Sequence, residues 1–262
     1  MASITDPARE LSEISGFFAI QSSLTADQII QQSTGIEPWS TDFLKLILCI
    51  HERADVLTKV IPLSSLDDDL VVKALEDISS IKDAFTPKKL RIASNQASST
   101  AAVLKEHGRS LQYLSATVRE KINYPRYTDE EVTEFIGLVD AYLNELAASN
   151  DVPLVVRHSL GDGMSLLRFR LQHVKWLGSG YALASLREIM EVYDRAAAND
   201  DLMSNPDAEA FVRGFGAIVA RLVAVTKSAT EYKDAGGVIW SGYKLVSAVT
   251  TPYLLGSNLL GH

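Results

Sequence analysis

The groups in this chain that could change charge near neutral pH are His51, His107, His158, His173 and His262. No two of them have the HExxH spacing that would set two imidazoles on one helix face around zinc. His51 and Asp55 are four residues apart and share a helix face, and they read as a surface pair rather than half of a metal site. Cys49, the only cysteine, excludes an intrachain disulfide. It lies in the apolar run FLKLILCI, which makes it a small core residue rather than a nucleophile. Asp67, Asp68 and Asp69 are consecutive and lack the alternation of a calcium loop. They suit the first turn of a helix, where carboxylates favour the positive end of the dipole. Gly161-Asp162-Gly163 and Gly178-Ser179-Gly180 are too short for phosphate loops, and neither follows a strand. The second glycine pair does precede a helix N-terminus among basic residues, where backbone N–H groups can meet an anion. There is no GxSxG elbow and no kinase signature. No catalytic residue, no metal and no cofactor is expected from these patterns.

The strongest local departure from average charge lies between Pro153 and Arg187. Arg157, Arg168, Arg170, Lys175 and Arg187 stand there against Asp162 alone, in a chain whose net charge is −8. One reading is a solvated face paired with carboxylates of neighbouring helices. The other makes Arg157, Arg168, Arg170 and Lys175 a site for an anion, an acidic partner surface or anionic lipid.

The element that carries this band is helical by its periodicity. Leu160, Met164, Leu167, Leu171 and Val174 recur at spacings of three and four and form one buried face. Pro153 suits the first turn. Gly161 and Gly163 predict either a break or a close backbone approach, since each costs about 1 kcal/mol in a helix interior. Gly178 to Gly180 ends the helix, and Leu183, Leu186, Met190 and Tyr193 mark the next one.

Elsewhere the same period recurs. Leu11, Ile14, Phe17 and Phe18 form a first helix, and Thr25 caps a short second one ending at Gly35. Phe43 to Leu57 marks a strong third helix, and Leu70 to Ile81 a fourth. Val103, Leu104, Leu111, Leu114 and Val118 define a fifth between Ala101 and Ile122. Thr128 with Glu131 forms a capping box ahead of Phe135, Val139, Tyr142 and Leu146. Asn205-Pro206 opens a helix bearing Phe211, Phe215, Ile218, Val219, Leu222 and Val225. Its Gly216, Ala220 and Ala224 form a strip that allows close helix approach. No alternating run demands a strand. The expected fold is all-α, a multi-helix bundle of roughly nine to eleven helices with little or no strand.

The expected divisions are an N-terminal helical part over 1–85, a linker over 86–100, a central bundle over 101–234 and an apolar C-terminal segment over 235–262. The linker rests on Pro87, Lys88, Lys89 and the polar SNQASST run. From Ala235 to Leu260 the only charge is Lys244, yet Ser241, Lys244, Ser247 and Thr251 form a polar stripe and Pro252 ends the helix early. An amphipathic helix that docks on the body or lies at an interface fits better than a membrane span. Val238, Ile239, Trp240, Leu245 and Val249 are its membrane or interface face.

The acidic balance, with a pI near 5.2, argues against nucleic acid as the ligand. The absence of a basic, then apolar, N-terminal run and the single cysteine point to a reducing, cytoplasmic setting, with a peripheral place at the inner face of a membrane as the variant. With 47% hydrophobic residues and amphipathic helices throughout, the expected function is a non-enzymatic intracellular helical interaction module that assembles with itself or with a protein partner. The alternatives are a membrane-active effector whose C-terminal helices insert into a bilayer, and an enzyme or small-anion sensor using the basic band.

Overall fold

A computed structural model of the chain describes residues 3–19, 23–182, 194, 197–199 and 203–230. These residues are helical almost throughout, as the apolar period requires. The strands among them, β1 (Ser3–Thr5) and β2 (Tyr124–Arg126), pair in a two-stranded sheet. The all-α expectation is met.

By its contacts the chain divides into two compact units. Of the described residues, one takes those from 4 to 124 with Lys175–Gly178, the other Ser3 with those from 125 to 174 and from 179 to 230. The boundary falls at Tyr124 and Pro125 rather than in the expected linker at 86–100. That stretch carries a short helix, α5 (Pro87–Leu90), and Leu90, Ser94, Ser99 and Thr100 within it are buried. Its polar side chains are spent on structure: the Ser99 hydroxyl donates to Ser94 O at 3.1 Å and that of Thr100 to Ala84 O at 2.8 Å. Composition resembled a linker because hydroxyls serve both water and a folded loop.

In the first unit α1 (Pro7–Ser15), α3 (Thr41–Val60), α4 (Asp68–Ala84) and α6 (Thr100–Lys121) pack in a ring, α6 against α1 and α4, and α3 against the same two. α2 (Ala26–Thr34) is closed by Gly35 at φ 73°, a left-handed C-cap. Each start has a local cause. Asp6 accepts from Ala8 N and Arg9 N at 3.0 Å, Ser40 from Phe43 N at 3.3 Å and Ser99 from Ala102 N at 3.2 Å. The core holds Leu11, Ile14, Phe43, Ile50, Ile78, Phe85, Leu104 and Leu111. Leu70 departs from the expected inner face of α4 and is 53% exposed, because α4 turns Ala74, Ile78 and Ile81 inward.

The same unit contains a buried ion pair. Arg53, on α3, lies with its Nη1 3.6 Å from Glu10 Oε2 on α1, and both side chains are buried. Arg53 also donates to Cys49 O at 3.2 Å and to the backbone carbonyl of Trp176. Trp176 belongs to α9 (Val174–Leu177), stacks on Phe17 at 4.7 Å and meets Phe18 edge-on at 6.1 Å. Phe17 therefore sits at a rim rather than inside. Gly178 follows at φ +88°. A Cβ there would lie 2.6 Å from Glu10 Oε2 and 3.1 Å from the Arg53 side chain. Burial, reinforced by the Glu10 charge, pushes the neighbouring Tyr124 phenol well above its ordinary range, so it stays neutral.

The second unit is built on α7 (Asp129–Ala148), α8 (Leu154–Gln172) and α10 (Pro206–Thr230). The Thr128 and Glu131 capping box forms as expected, with Glu131 N donating to Thr128 Oγ1 at 3.1 Å and Thr128 N to Glu131 Oε2 at 2.7 Å. Phe135, Val139, Tyr142 and Leu146 meet Leu160, Met164, Leu167 and Leu171, and Val212, Phe215, Val219 and Leu222 close the core. Val174, expected on the same buried face, falls beyond α8 in α9 and is not fully buried. The helix runs unbroken through Gly161, and a Cβ there would make only an ordinary contact, 3.8 Å from the Leu146 side chain, so the glycine marks neither a break nor a close backbone approach. On α10 Gly214 faces Tyr142 while Ala220, in the expected small-residue strip, is exposed; the Ala224 side chain lies outside the described ones. Leu183, Leu186, Met190 and Tyr193 lie outside the described residues.

Two stability outcomes follow from this packing. Leu171→Ala removes a side chain only 2% exposed and should cost about 2–5 kcal/mol by chemical denaturation. Gly178→Ala forces a side chain into a left-handed backbone and against Glu10, and should cost more than about 1 kcal/mol, whereas Gly16→Ala, with open space around it, should not.

Candidate functional site

The seam between α1 and α6 is the most chemically equipped surface of the first unit. The two helices approach closely at Gly108, where a Cβ would meet Ser15 Cβ at 3.1 Å. Buried Asp6 fixes their relative register. Besides capping α1, its carboxylate accepts from the Ser115 hydroxyl at 2.6 Å and from the Arg119 guanidinium at 3.4 Å. Two open cavities line up along this seam, of about 1050 and 490 Å³, and they share Ser15, Gly16 and Arg109 as walls. The smaller is bordered by Arg9, which pairs with Glu13 at 3.0 Å, and by Arg119. The larger has Lys105 and Arg109, one turn apart on α6, with Phe18 and Leu104 as buried apolar floor. Ser94 borders it too, with its Oγ buried and without a hydrogen bond.

A second constellation joins α4 and α6. His107 Nδ1 lies 2.7 Å from Asp77 Oδ1, and Lys73 Nζ lies 3.3 Å from the same oxygen. Burial alone would raise the Asp77 carboxyl, but hydrogen bonds from His107 and Lys73 and the Lys73 charge outweigh it and hold the group below its ordinary 3.8. An Asp–His pair orients a base, but a nucleophile must sit at the far ring nitrogen. Here Nε2 is 3.9 Å from Glu106 Oε2, and the Ser110 hydroxyl donates to His107 O at 2.6 Å. The arrangement ties two helices together and lacks the order of a hydrolytic triad.

On α3, His51 Nε2 lies 3.4 Å from Phe85 O, and burial lowers its pKa. Asp55 accepts from Lys82 at 2.5 Å instead of sharing a ligand with His51. Next to it, burial lifts the Glu52 carboxyl to about 7 against the pull of Arg53, with Asp55 adding to the rise. Its Oε1 is buried and makes no hydrogen bond. Among the described residues no cluster of three or more His, Cys, Asp or Glu could hold a metal ion.

The basic band is dispersed by its surroundings. Arg168 forms an ion pair with Asp140 of α7. Arg157 donates to Ser149 O at 2.9 Å. Arg170 is 1% exposed, with its guanidinium 4.9 Å over the Tyr181 ring. Lys175 is exposed and belongs to the other unit. Arg168 and Arg170 thus differ in burial although the sequence treats them alike. Gly178 faces the Glu10 carboxylate, a poor neighbour for an anion. Val238, Ile239, Trp240, Leu245 and Val249 lie outside the described residues, among which no helix is long and apolar enough to cross a membrane.

Sequence reasoning missed the α1–α6 seam because its groups come from separate helices. The only local signal was Lys105 and Arg109 at helical spacing.

Glu52 gives a pH test. Its folded pKa of about 7 exceeds the ordinary 4.5, so the folded state holds the proton longer than the unfolded chain. Its contribution is full below 4.5 and is lost as pH rises through about 7. Stability of Glu52→Gln, measured by denaturant titration, should lack this decline between those values while keeping the rest of the pH profile.

No protein-family model matches this chain, and neither a curated protein nor a solved structure matches it.

Proposed function

We propose that the protein is a non-enzymatic helical assembly module that pairs with a second copy of itself through the corner between α3 and α4. The observation that carries this reading is the outward aliphatic surface of that corner. Leu63 is 70% exposed, Leu70 53% and Val72 57%, within one short stretch of chain. Exposed aliphatics scattered singly need no explanation, and the support for this reading is that these three fall close together in sequence. Leu44 and Leu48, one turn apart on the outer face of α3, are about half exposed as well.

The charges around the corner favour a self-complementary contact. Exposed Asp67, Asp68 and Asp69 stand between Leu63 and Leu70 in sequence, and exposed Lys59 precedes them all. A two-fold pairing sets each patch against its own copy, so a surface bearing both signs can satisfy itself. A stable contact of this kind covers about 1,600 Å² in total.

Light scattering on the purified chain should give a dimer at micromolar concentration, and Leu63→Glu with Leu70→Glu should shift it to monomer without changing its circular dichroism. A wild-type chain that stays monomeric, or a dimer indifferent to the double substitution, contradicts the reading. Stoichiometric co-purification of a different protein lost with the same substitutions replaces the second copy by a heterologous partner.

A further inference from the structure

We infer that the larger cavity of the α1–α6 seam binds a small organic phosphate, with the phosphate held by Lys105 and Arg109 and the organic body directed towards Ser94.

Charge is the first argument. Lys105 and Arg109 lie one helical turn apart on the cavity wall, and neither has an ion pair or hydrogen bond among the described residues. Glu13, beside the smaller cavity, pairs with Arg9 at 3.0 Å, and Glu106, on the wall of the larger one, is 77% exposed and 3.9 Å from His107 Nε2. Two cations one turn apart suit a multiply charged oxyanion better than a single carboxylate, and the Arg fork matches phosphate geometry.

The second argument is a buried donor. Ser94 is 4% exposed, and its hydroxyl makes no hydrogen bond although the cavity borders it. A buried hydroxyl left without a partner costs roughly 1–3 kcal/mol, so a fold that keeps one beside a cavity gains from a ligand acceptor there. The backbone cannot relieve it: Ser94 N already donates to Leu24 O at 2.8 Å, and Ser94 O accepts from Ser99.

Size is the third. The cavity of about 1050 Å³ far exceeds a lone phosphate and matches the upper range of small-molecule sites. Its floor at Phe18 and Leu104 is apolar and buried, which suits the body of an organic molecule rather than a bare ion. The inference is independent of self-association at the α3–α4 corner, since the two surfaces share no residue.

Isothermal titration of the full chain with inorganic pyrophosphate, glucose 6-phosphate and adenosine diphosphate tests it. At least one of the two organic phosphates should bind saturably, and tighter than pyrophosphate. Lys105→Gln and Arg109→Gln, both on exposed positions, should each weaken that binding at least tenfold while leaving the melting temperature unchanged. Ser94→Ala should weaken the organic phosphate and leave pyrophosphate unaffected. Failure of both organic phosphates to bind overturns the inference. So does binding indifferent to Lys105→Gln and Arg109→Gln, and so does an organic phosphate that binds no tighter than pyrophosphate and is unaffected by Ser94→Ala.

Discussion

A guanidinium cannot be buried without partners, because its desolvation costs several kcal/mol unless charge and hydrogen bonds replace water. Arg53 meets that constraint with three groups from three places in the chain: Glu10 of α1 at 3.6 Å, Cys49 O one turn back on α3 at 3.2 Å, and the carbonyl of Trp176. Much of the first unit can be read as a consequence. α1 must lie beside α3 for Glu10 to arrive. Residues 175–178 must come to the same place for the carbonyl to arrive, and Trp176 then has Phe17 and Phe18 as its neighbours. Gly178 must lack a side chain, because the carboxylate occupies the space one would need.

The other flank of α1 is held by a second buried charge. Asp6 caps its own helix, which any N-cap aspartate does, but it also accepts from Ser115 and Arg119 on α6. The contact between α1 and α6 is therefore polar at one end, and tight at Gly108 and Ser15. Such a contact leaves a lined groove where an apolar seam would close. The basic groups of the groove are there because α6 turns Leu104, Leu111 and Val118 to the core, which sends Lys105 and Arg109 outward. The geometry of the groove follows from the way α1 is anchored.

Elements set by local rules were legible in the sequence. The Thr128 and Glu131 capping box, the buried face of α8 from Leu160 to Leu171 and the Asn205 cap, which accepts from Asp207 N and Ala208 N, all depend on spacings within a few residues. Features set between helices were not. Asp77 and His107 have no spacing that announces them, and neither do Glu10 and Arg53. Arg168 and Arg170 read identically along the chain, yet one pairs at the surface with Asp140 and the other is buried under Tyr181. Residues 86–100 carried the composition of a linker, but Ser99 and Thr100 spend their hydroxyls on backbone carbonyls within the fold. The candidate groove was invisible for the same reason: it joins Ser94, Lys105 and Arg109 with Phe18 through tertiary packing alone.

The dependence of the first unit on the Arg53 site is best tested by a double-mutant cycle on Glu10→Gln and Arg53→Met, read as unfolding free energy. Removing either partner of a buried pair leaves the other uncompensated and should cost about 3–5 kcal/mol. The double variant should cost clearly less than the sum of the two, because each charge is buried only with the other. Additive losses, or single losses below about 1 kcal/mol, would show that the pair does not hold α1 against α3.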